Sequence, residues 1–554
     1  MSGTTEDRKW AVAVHGADQD IAKHQEAILQ LKSYRNTLLP ISQLPPEILS
    51  RIFLLVRGYD PYETRSSISW IDLSCVSRHW RSIALNCLTL WTFLPLQYTL
   101  WTQEMLRRSK NANLTVHATF SVRTHPPKVS AIVLALSHMA RIKTMTLSNL
   151  DPDVATEIFS QLPRSAPQLE FLYISSDYFP GPRIPDDALW GTSRLHNLQL
   201  WNCELNWDSQ ILSSLTHLEL GCVSSRPTTT QFLAMLSRLP DLQVLDLHDC
   251  LPKDWKVAES NTHYFLKHLR ALRLTGTAHE IEGFMQRLSI PPTSNIALEC
   301  NEEGTFLDCR DDFWSILSSI SRSRSFPASK RPPITHTLFL EMLTAGSLSV
   351  KYLRPVISNR QLGNALPNSI CHLEVQLEWS LEDVSSVLCD VEQTIKRICG
   401  LSPLGDLNKL WLKSQFPFSS QTIVEIFGSL PKLYTSALSG SILQSFLPAL
   451  TTTLSSNPPQ SSPGPSMVAF PALQTIILRN FKFDDGTSHS VGVEAIRNIF
   501  KQRRKLGFGI RGICLVKCPN LCAKKVEYLN KVISHVEWDG FEIGLSDDHD
   551  DSDE

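Results

Sequence analysis

A six-residue pattern, L-x-x-L-x-L, recurs through the first half of this 554-residue chain and limits its fold more than any other feature. It appears as LEFLYI (Leu169, Leu172, Ile174), LHNLQL (Leu195, Leu198, Leu200) and LTHLEL (Leu215, Leu218, Leu220). LQVLDL (Leu242, Leu245, Leu247) and LRALRL (Leu269, Leu272, Leu274) follow, and a weaker copy, IKTMTL, starts at Ile142. Successive copies begin 27, 26, 20, 27 and 27 residues apart. The last two apolar residues of each copy are two apart, so they point to one side of a short strand and the residue between them faces out. Between copies, residues 154–162 and 230–239 read as helices stopped by Pro163 and Pro240. One strand plus one helix has too little apolar surface to stand alone, whereas stacked copies share a continuous core.

Further copies follow an irregular middle. They are ICHLEVQL (Ile370, Leu373, Val375, Leu377), LNKLWL (Leu407, Leu410, Leu412), LQTIIL (Leu473, Ile476, Leu478), IRGICL (Ile510, Ile513, Leu515) and ISHVEW (Ile533, Val536, Trp538). Their uneven spacing predicts a degenerate copy near Leu433. Residues 321–333 and 455–466 are rich in Ser and Pro and read as exposed insertions. The array resembles leucine-rich repeats, whose period is about 20 to 29 residues. The resemblance implies an α/β fold for residues 96–540, a curved solenoid with one strand and one helix per repeat and a concave binding surface. It also implies that Asn202, Cys203, Cys222 and Cys250, which follow strands, sit where the chain bends inward.

Ahead of the repeats, residues 44–53 read LPPEILSRIF and residues 71–91 read IDLSCVSRHWRSIALNCLTLW. Pro45 and Pro46 suit a helix entry, and Glu47 suits its positive end. Ile48, Leu49, Ile52 and Phe53 form one apolar stripe, and Leu73, Val76, Trp80, Ile83 and Ala84 repeat the pattern. Helices this short build little core of their own, so part of their apolar surface is expected to meet another protein. The two blocks, in this order, resemble an F-box, the module by which substrate receptors dock on the Skp1 adaptor of SCF-type (Skp1–cullin–F-box) ubiquitin ligases. The polar stretch 57–70 is longer than the family pattern. A preceding helix, LPPEIL and a long repeat region together look most like the large fungal class of F-box proteins.

The resemblance implies an F-box at 40–95, with Leu44, Pro45, Ile48, Leu49, Ile52, Leu73, Val76 and Trp80 as adaptor anchors. It implies cullin-1 and a RING subunit as indirect partners and a substrate protein held by the repeats. No catalytic residue in this chain is needed for that role. A scaffold acting outside a cullin complex is the alternative, and an accessory domain around an unseen hydrolase is a weaker one. Residues 1–17 read as disordered. Residues 18–39 read as a helix with Ile21, Ile28, Leu31 and Leu38 on one side, packing back on the F-box rather than forming a coiled coil.

Fifty-three Lys and Arg against 55 Asp and Glu give a net charge of −2, which argues against a dedicated nucleic-acid binder. The run KQRRK at 501–505 reads as a solvated helix end. No apolar run approaches the ~20 residues of a membrane span. The N-terminus lacks an apolar signal region, so the thirteen cysteines read as free thiols of a cytoplasmic or nuclear protein. Cys514, Cys518 and Cys522 are spaced for a metal on a helix. However, Pro519 breaks the helix and no fourth ligand is evident, so they read as core or turn residues and no metal or other cofactor is expected. His15, His24 and His79 have no partners in the pattern, and G-x-S-x-G, H-E-x-x-H and phosphate-loop motifs are absent. Trp201 is a candidate for the substrate surface, while Trp190 and Trp207 read as loop fillers. The tail at 541–554 is acidic and reads as disordered, with Ser552 in a context suited to acidophilic kinases.

Overall fold

Every residue at an L position of the five strong L-x-x-L-x-L copies is buried. The computed structural model describes residues 5–58, 68–120, 128–186, 189, 192–255, 264–323, 333–342, 344, 346–354, 371–380, 384–416, 418–454, 467–483 and 491–541. Two units divide the chain: Met1–Ser213 with Val223–Ser225, and Ser214–Cys222 with Arg226–Glu554. Residues 59–67, 324–332 and 455–466 of the three expected insertions lie outside the described residues. So do Trp190, Ile370 and, with Ser552, all of the acidic tail beyond Phe541.

In the first unit, helices Thr5–Thr37, Pro46–Arg57, Arg78–Asn86 and Thr99–Ser109 precede four strands, β1 (Leu114–Thr119), β2 (Ile142–Ser148), β3 (Phe171–Ser175) and β4 (Asn197–Trp201). The strands pair in parallel in that order. Phe93 bridges to Thr115, so the helical region runs straight into the sheet.

The second unit holds β5 (His217–Gly221), β6 (Val244–His248), β7 (Tyr264–Phe265), β8 (Ala271–Gly276), β9 (Leu288–Ser289), β10 (Asn295–Asn301), β11 (Thr337–Met342) and β12 (Ser347–Leu353). It continues with β13 (Cys371–Glu378), β14 (Lys409–Ser414), β15 (Thr435–Gly440), β16 (Thr453–Leu454), β17 (Met467–Val468), β18 (Thr475–Arg479), β19 (Gly512–Val516) and β20 (His535–Trp538). Its sheet runs β5-β6-β8-β10-β13-β12-β11-β14-β15-β18-β19-β20, while β7 pairs with β9 and β16 with β17 apart from it. Within the sheet β12 is antiparallel to both β11 and β13, and the other neighbours are parallel.

The irregular middle is therefore a strand reversal. β13 returns to β10, and β11 and β12 lie on its far side. β15 occupies the place expected for the degenerate copy, with Leu433 buried beside it. One helix per strand does not hold throughout. The 20-residue step from Leu195 to Leu215 carries a single short 3-10 turn, Gln210–Leu212.

The bend after the strand has a consistent cause. Asn149, Asn202, Cys222, Asp249, Asn480 and Lys517 each take a positive φ between 49° and 59°. The residue that follows each of them, Leu150, Cys203, Val223, Cys250, Phe481 or Cys518, is buried. Asn and Asp tolerate the left-handed region best among residues with a side chain, which accounts for four of the six positions. Cys222 thus makes the bend and stays exposed, and Val223 is the one that turns inward. Cys203, Cys250 and Cys518 each place a thiol near a carbonyl of the preceding strand, Ile174 at 3.8 Å, Leu220 at 3.4 Å and Leu478 at 3.6 Å.

Three expectations change at the ends of the chain. The first helix starts at Thr5, inside the stretch expected to be disordered; Ala11, Ala13 and Ala17 favour helix there. No side chain from Lys9 to Thr37 is buried, so this helix does not pack back on the helices that follow. Those helices bury Leu49, Phe53, Ile83 and Ala84 against one another without it. Within the KQRRK run, Arg503 is fully buried, not solvated. Its Nη1 donates to the carbonyls of Leu450 at 2.5 Å and Ala469 at 2.7 Å, and its Nη2 donates to that of Phe470.

Candidate functional site

Pro45 caps the helix Pro46–Arg57 with extended backbone, and Pro46 starts it where no N–H is needed. Ser77 caps the helix Arg78–Asn86 by accepting the Trp80 N–H at 3.1 Å. The first helix packs against the second and against the turn Leu88–Trp91. Leu49 and Phe53 are enclosed on this side, and Ile83, Ala84, Leu90 and Trp91 are buried with them. The Trp80 ring lies 5.1 Å from that of Phe53. Trp91 Nε1 donates to the Ala84 carbonyl at 2.8 Å, and Arg57 Nη1 donates to the Thr89 carbonyl at 2.7 Å. The Arg108 guanidinium sits 4.3 Å over the Trp91 ring and ties the next helix to this core.

The opposite side stays open. Ile48 is 46% exposed, Leu55 74% and Val56 54%, while Ile52 is half-buried. Spacings of four, seven and eight residues put all four on one helix face. Val76 is 55% exposed and Pro45 is exposed, whereas Leu44, Leu73 and Trp80 are half-buried. Leu49 is the correction. At 0% exposure it holds the helices together and leaves no surface for a partner. Leu55 and Val56 were missed by the sequence reading, although they continue the Ile48 stripe by two more turns.

A second surface is the open face of the second unit's sheet. The outward residues form registered rows. One runs Glu219, Asp246, Arg273, Ala297, Glu374 and Lys351, then Phe339, Trp411, Ala437, Ile477, Cys514 and Glu537. Its first half is charged and internally paired, with Arg273 Nη1 3.4 Å from Asp246 and Lys351 Nζ 2.5 Å from Glu374. His248, in the adjacent row, lies 2.7 Å from Asp246 and 3.1 Å from Thr275. The hydrogen bond that His248 donates to the Asp246 carboxylate raises the imidazole above its usual range. The second half opens with two aromatic residues, Phe339 and Trp411. The Phe339 and Trp411 rings lie 6.1 Å apart, and the Arg479 guanidinium sits 5.1 Å from the Trp411 ring. Lys413 and Glu341 pair beside them at 2.5 Å. Sequence reasoning missed this cluster, because β11 matches no repeat copy and Phe339 had no assigned neighbour.

Trp201 lies at an outward position of β4, half-buried and paired in register with Ser175. Trp207 is buried with its Nε1 donating to the Ser225 carbonyl at 3.0 Å, as a loop filler does. Cys514, Cys518 and Cys522 take three separate roles. Cys514 is on the outward row of β19, Cys518 is buried at the bend, and Cys522 precedes the helix Ala523–Asn530. Among the described residues, the group of three or more His, Cys, Asp and Glu whose ligand atoms all lie within 4.8 Å of one another is His279, Glu282 and Asp312, exposed to half-buried. No described helix is long and apolar enough to cross a membrane.

Residues 41–96 match the F-box-like family model, within one residue of the segment read from the sequence. No curated protein matches the chain.

Proposed function

We propose that this chain is the substrate-recognition subunit of an SCF-type ubiquitin ligase. Residues 41–96 dock a Skp1-like adaptor through Pro45, Ile48, Ile52, Leu55, Val56 and Val76. Leu44, Leu73 and Trp80 line the edge of the same module. The observation that carries this reading is the open apolar stripe of helix Pro46–Arg57 inside the segment that matches the F-box-like model. Aliphatic side chains at i, i+4 and i+7 on one face of a folded helix are the pattern by which a helix seats in the apolar groove of a partner.

The sheet-bearing region acts as an irregular leucine-rich-repeat solenoid and holds a substrate protein on its open strand face. The aromatic group of Phe339, Trp411 and Arg479 is the strongest anchor candidate there, ahead of Trp201. A cullin and a RING subunit join through the adaptor, and the receptor works by proximity. Holding the substrate near a charged ubiquitin carrier raises its effective concentration, which asks for no acid, base or nucleophile in this chain. The thirteen cysteines are free thiols, which suits a reducing cytoplasm or nucleus.

The test is adaptor capture by the full chain. Ile48→Asp with Val76→Asp removes capture while the melting profile stays that of the wild type. Capture by the double variant at wild-type level rejects the docking face.

A further inference from the structure

The helix Thr5–Thr37 exposes an ordered apolar seam. Val14, Ile21, Ile28 and Arg35 repeat every seven residues, as do Trp10, Ala17, His24, Leu31 and Leu38. The two sets interleave at alternating steps of four and three, which are heptad positions a and d over four heptads. Trp10, Val14, Ile21, Ile28, Leu31 and Leu38 are all exposed. A strict period of 3.5 keeps a seam facing one partner helix, whereas a helix lying on a globular core follows 3.6. At 33 residues the helix is about 50 Å long, beyond the length at which isolated helices are marginal.

We propose that two copies of this chain associate through this helix as an antiparallel coiled coil. Charge decides both the occupant and the orientation. In the antiparallel register the seam layers are Val14 with Leu38, Ile21 with Leu31, Ile28 with His24, and Arg35 with Ala17 of the second copy. Each bulky polar residue then meets a small or aliphatic one. The flanking Asp18 meets Lys32 of the second copy, and by symmetry this ion pair forms twice. Asp20 meets Tyr34, a hydroxyl donor. In a parallel pair Arg35 would meet Arg35 and His24 would meet His24 inside the seam. Asp18 and Lys32 would then face Ala13 and Ala27. The sequence is therefore complementary to itself in one direction. The seam ends before the turn Pro40–Gln43 and shares no residue with the stripe of helix Pro46–Arg57, so this inference stands apart from adaptor docking.

Light scattering on the full chain at tens of micromolar tests it. Wild type has twice the single-chain mass of 62.4 kDa. Ile21→Asp with Leu31→Asp has the single-chain mass, with melting of the remaining structure unchanged. Asp18→Lys weakens the dimer about tenfold by turning two attractions into repulsions, and Asp18→Lys with Lys32→Asp restores it. A wild-type chain at single mass overturns the proposal. So does a dimer that survives Ile21→Asp with Leu31→Asp, or one indifferent to Asp18→Lys.

Discussion

Ile48 and Leu49 are neighbours on one helix with opposite environments, 46% exposed and fully enclosed. Leu49→Ala therefore costs the first unit about 2 to 5 kcal/mol through lost burial and the cavity left behind. Ile48→Ala stays within about 0.5 kcal/mol, as surface substitutions do. Urea unfolding followed by hydrogen exchange of the helix Pro46–Arg57 separates the two.

Arg503 offers the sharpest stability test in the second unit. Burial pushes its guanidinium down to about 10, so it stays charged at neutral pH and its donors serve three buried carbonyls. Arg503→Met leaves those carbonyls without their donor and costs about 3 kcal/mol, read as a lowered melting temperature. Arg504→Met, at an exposed neighbouring position, leaves melting unchanged.

The thiols divide by environment. Burial pushes Cys203 up to about 12 and raises Cys250 and Cys518 as well, so little thiolate forms at pH 8. Mass-spectrometric mapping after brief alkylation of the native protein finds Cys75 and Cys389, which are exposed, modified first. Cys203, Cys250 and Cys518 react after unfolding.

The Asp246–His248 pair makes stability depend on pH. The folded imidazole holds its proton above its ordinary value, so the pair's contribution is complete below about pH 6.5 and fades as pH rises through the raised folded pKa. The stability difference between wild type and Asp246→Asn is thus largest in mild acid and smaller at pH 8. An imidazole titration by NMR places the wild-type midpoint above that of Asp246→Asn.

Much of this molecule was legible in its sequence because two signals are local. Leucines two apart in a strand must share a face, and every motif leucine is buried accordingly. The F-box-like segment carries two apolar blocks, residues 44–53 and 71–91, in the family's order, and its boundaries followed from them. The reversal at β11–β13 was not legible, because alternation in Leu338, Leu340 and Met342 fixes a strand and says nothing of its neighbours. Leu49 and Ile48 are equally apolar and one residue apart, so hydrophobicity alone could not assign one to the core and the other to a partner. Arg503 lay hidden in a basic run because three backbone carbonyls, distant in sequence, are its partners.

The open stripe on helix Pro46–Arg57 is the centre of the account, and adaptor co-purification tests it most directly. Full-length wild type retains a Skp1-like adaptor through washing, and Ile48→Asp with Val76→Asp loses it without a change in melting. Equal retention by both proteins contradicts the assignment of this face as the docking site.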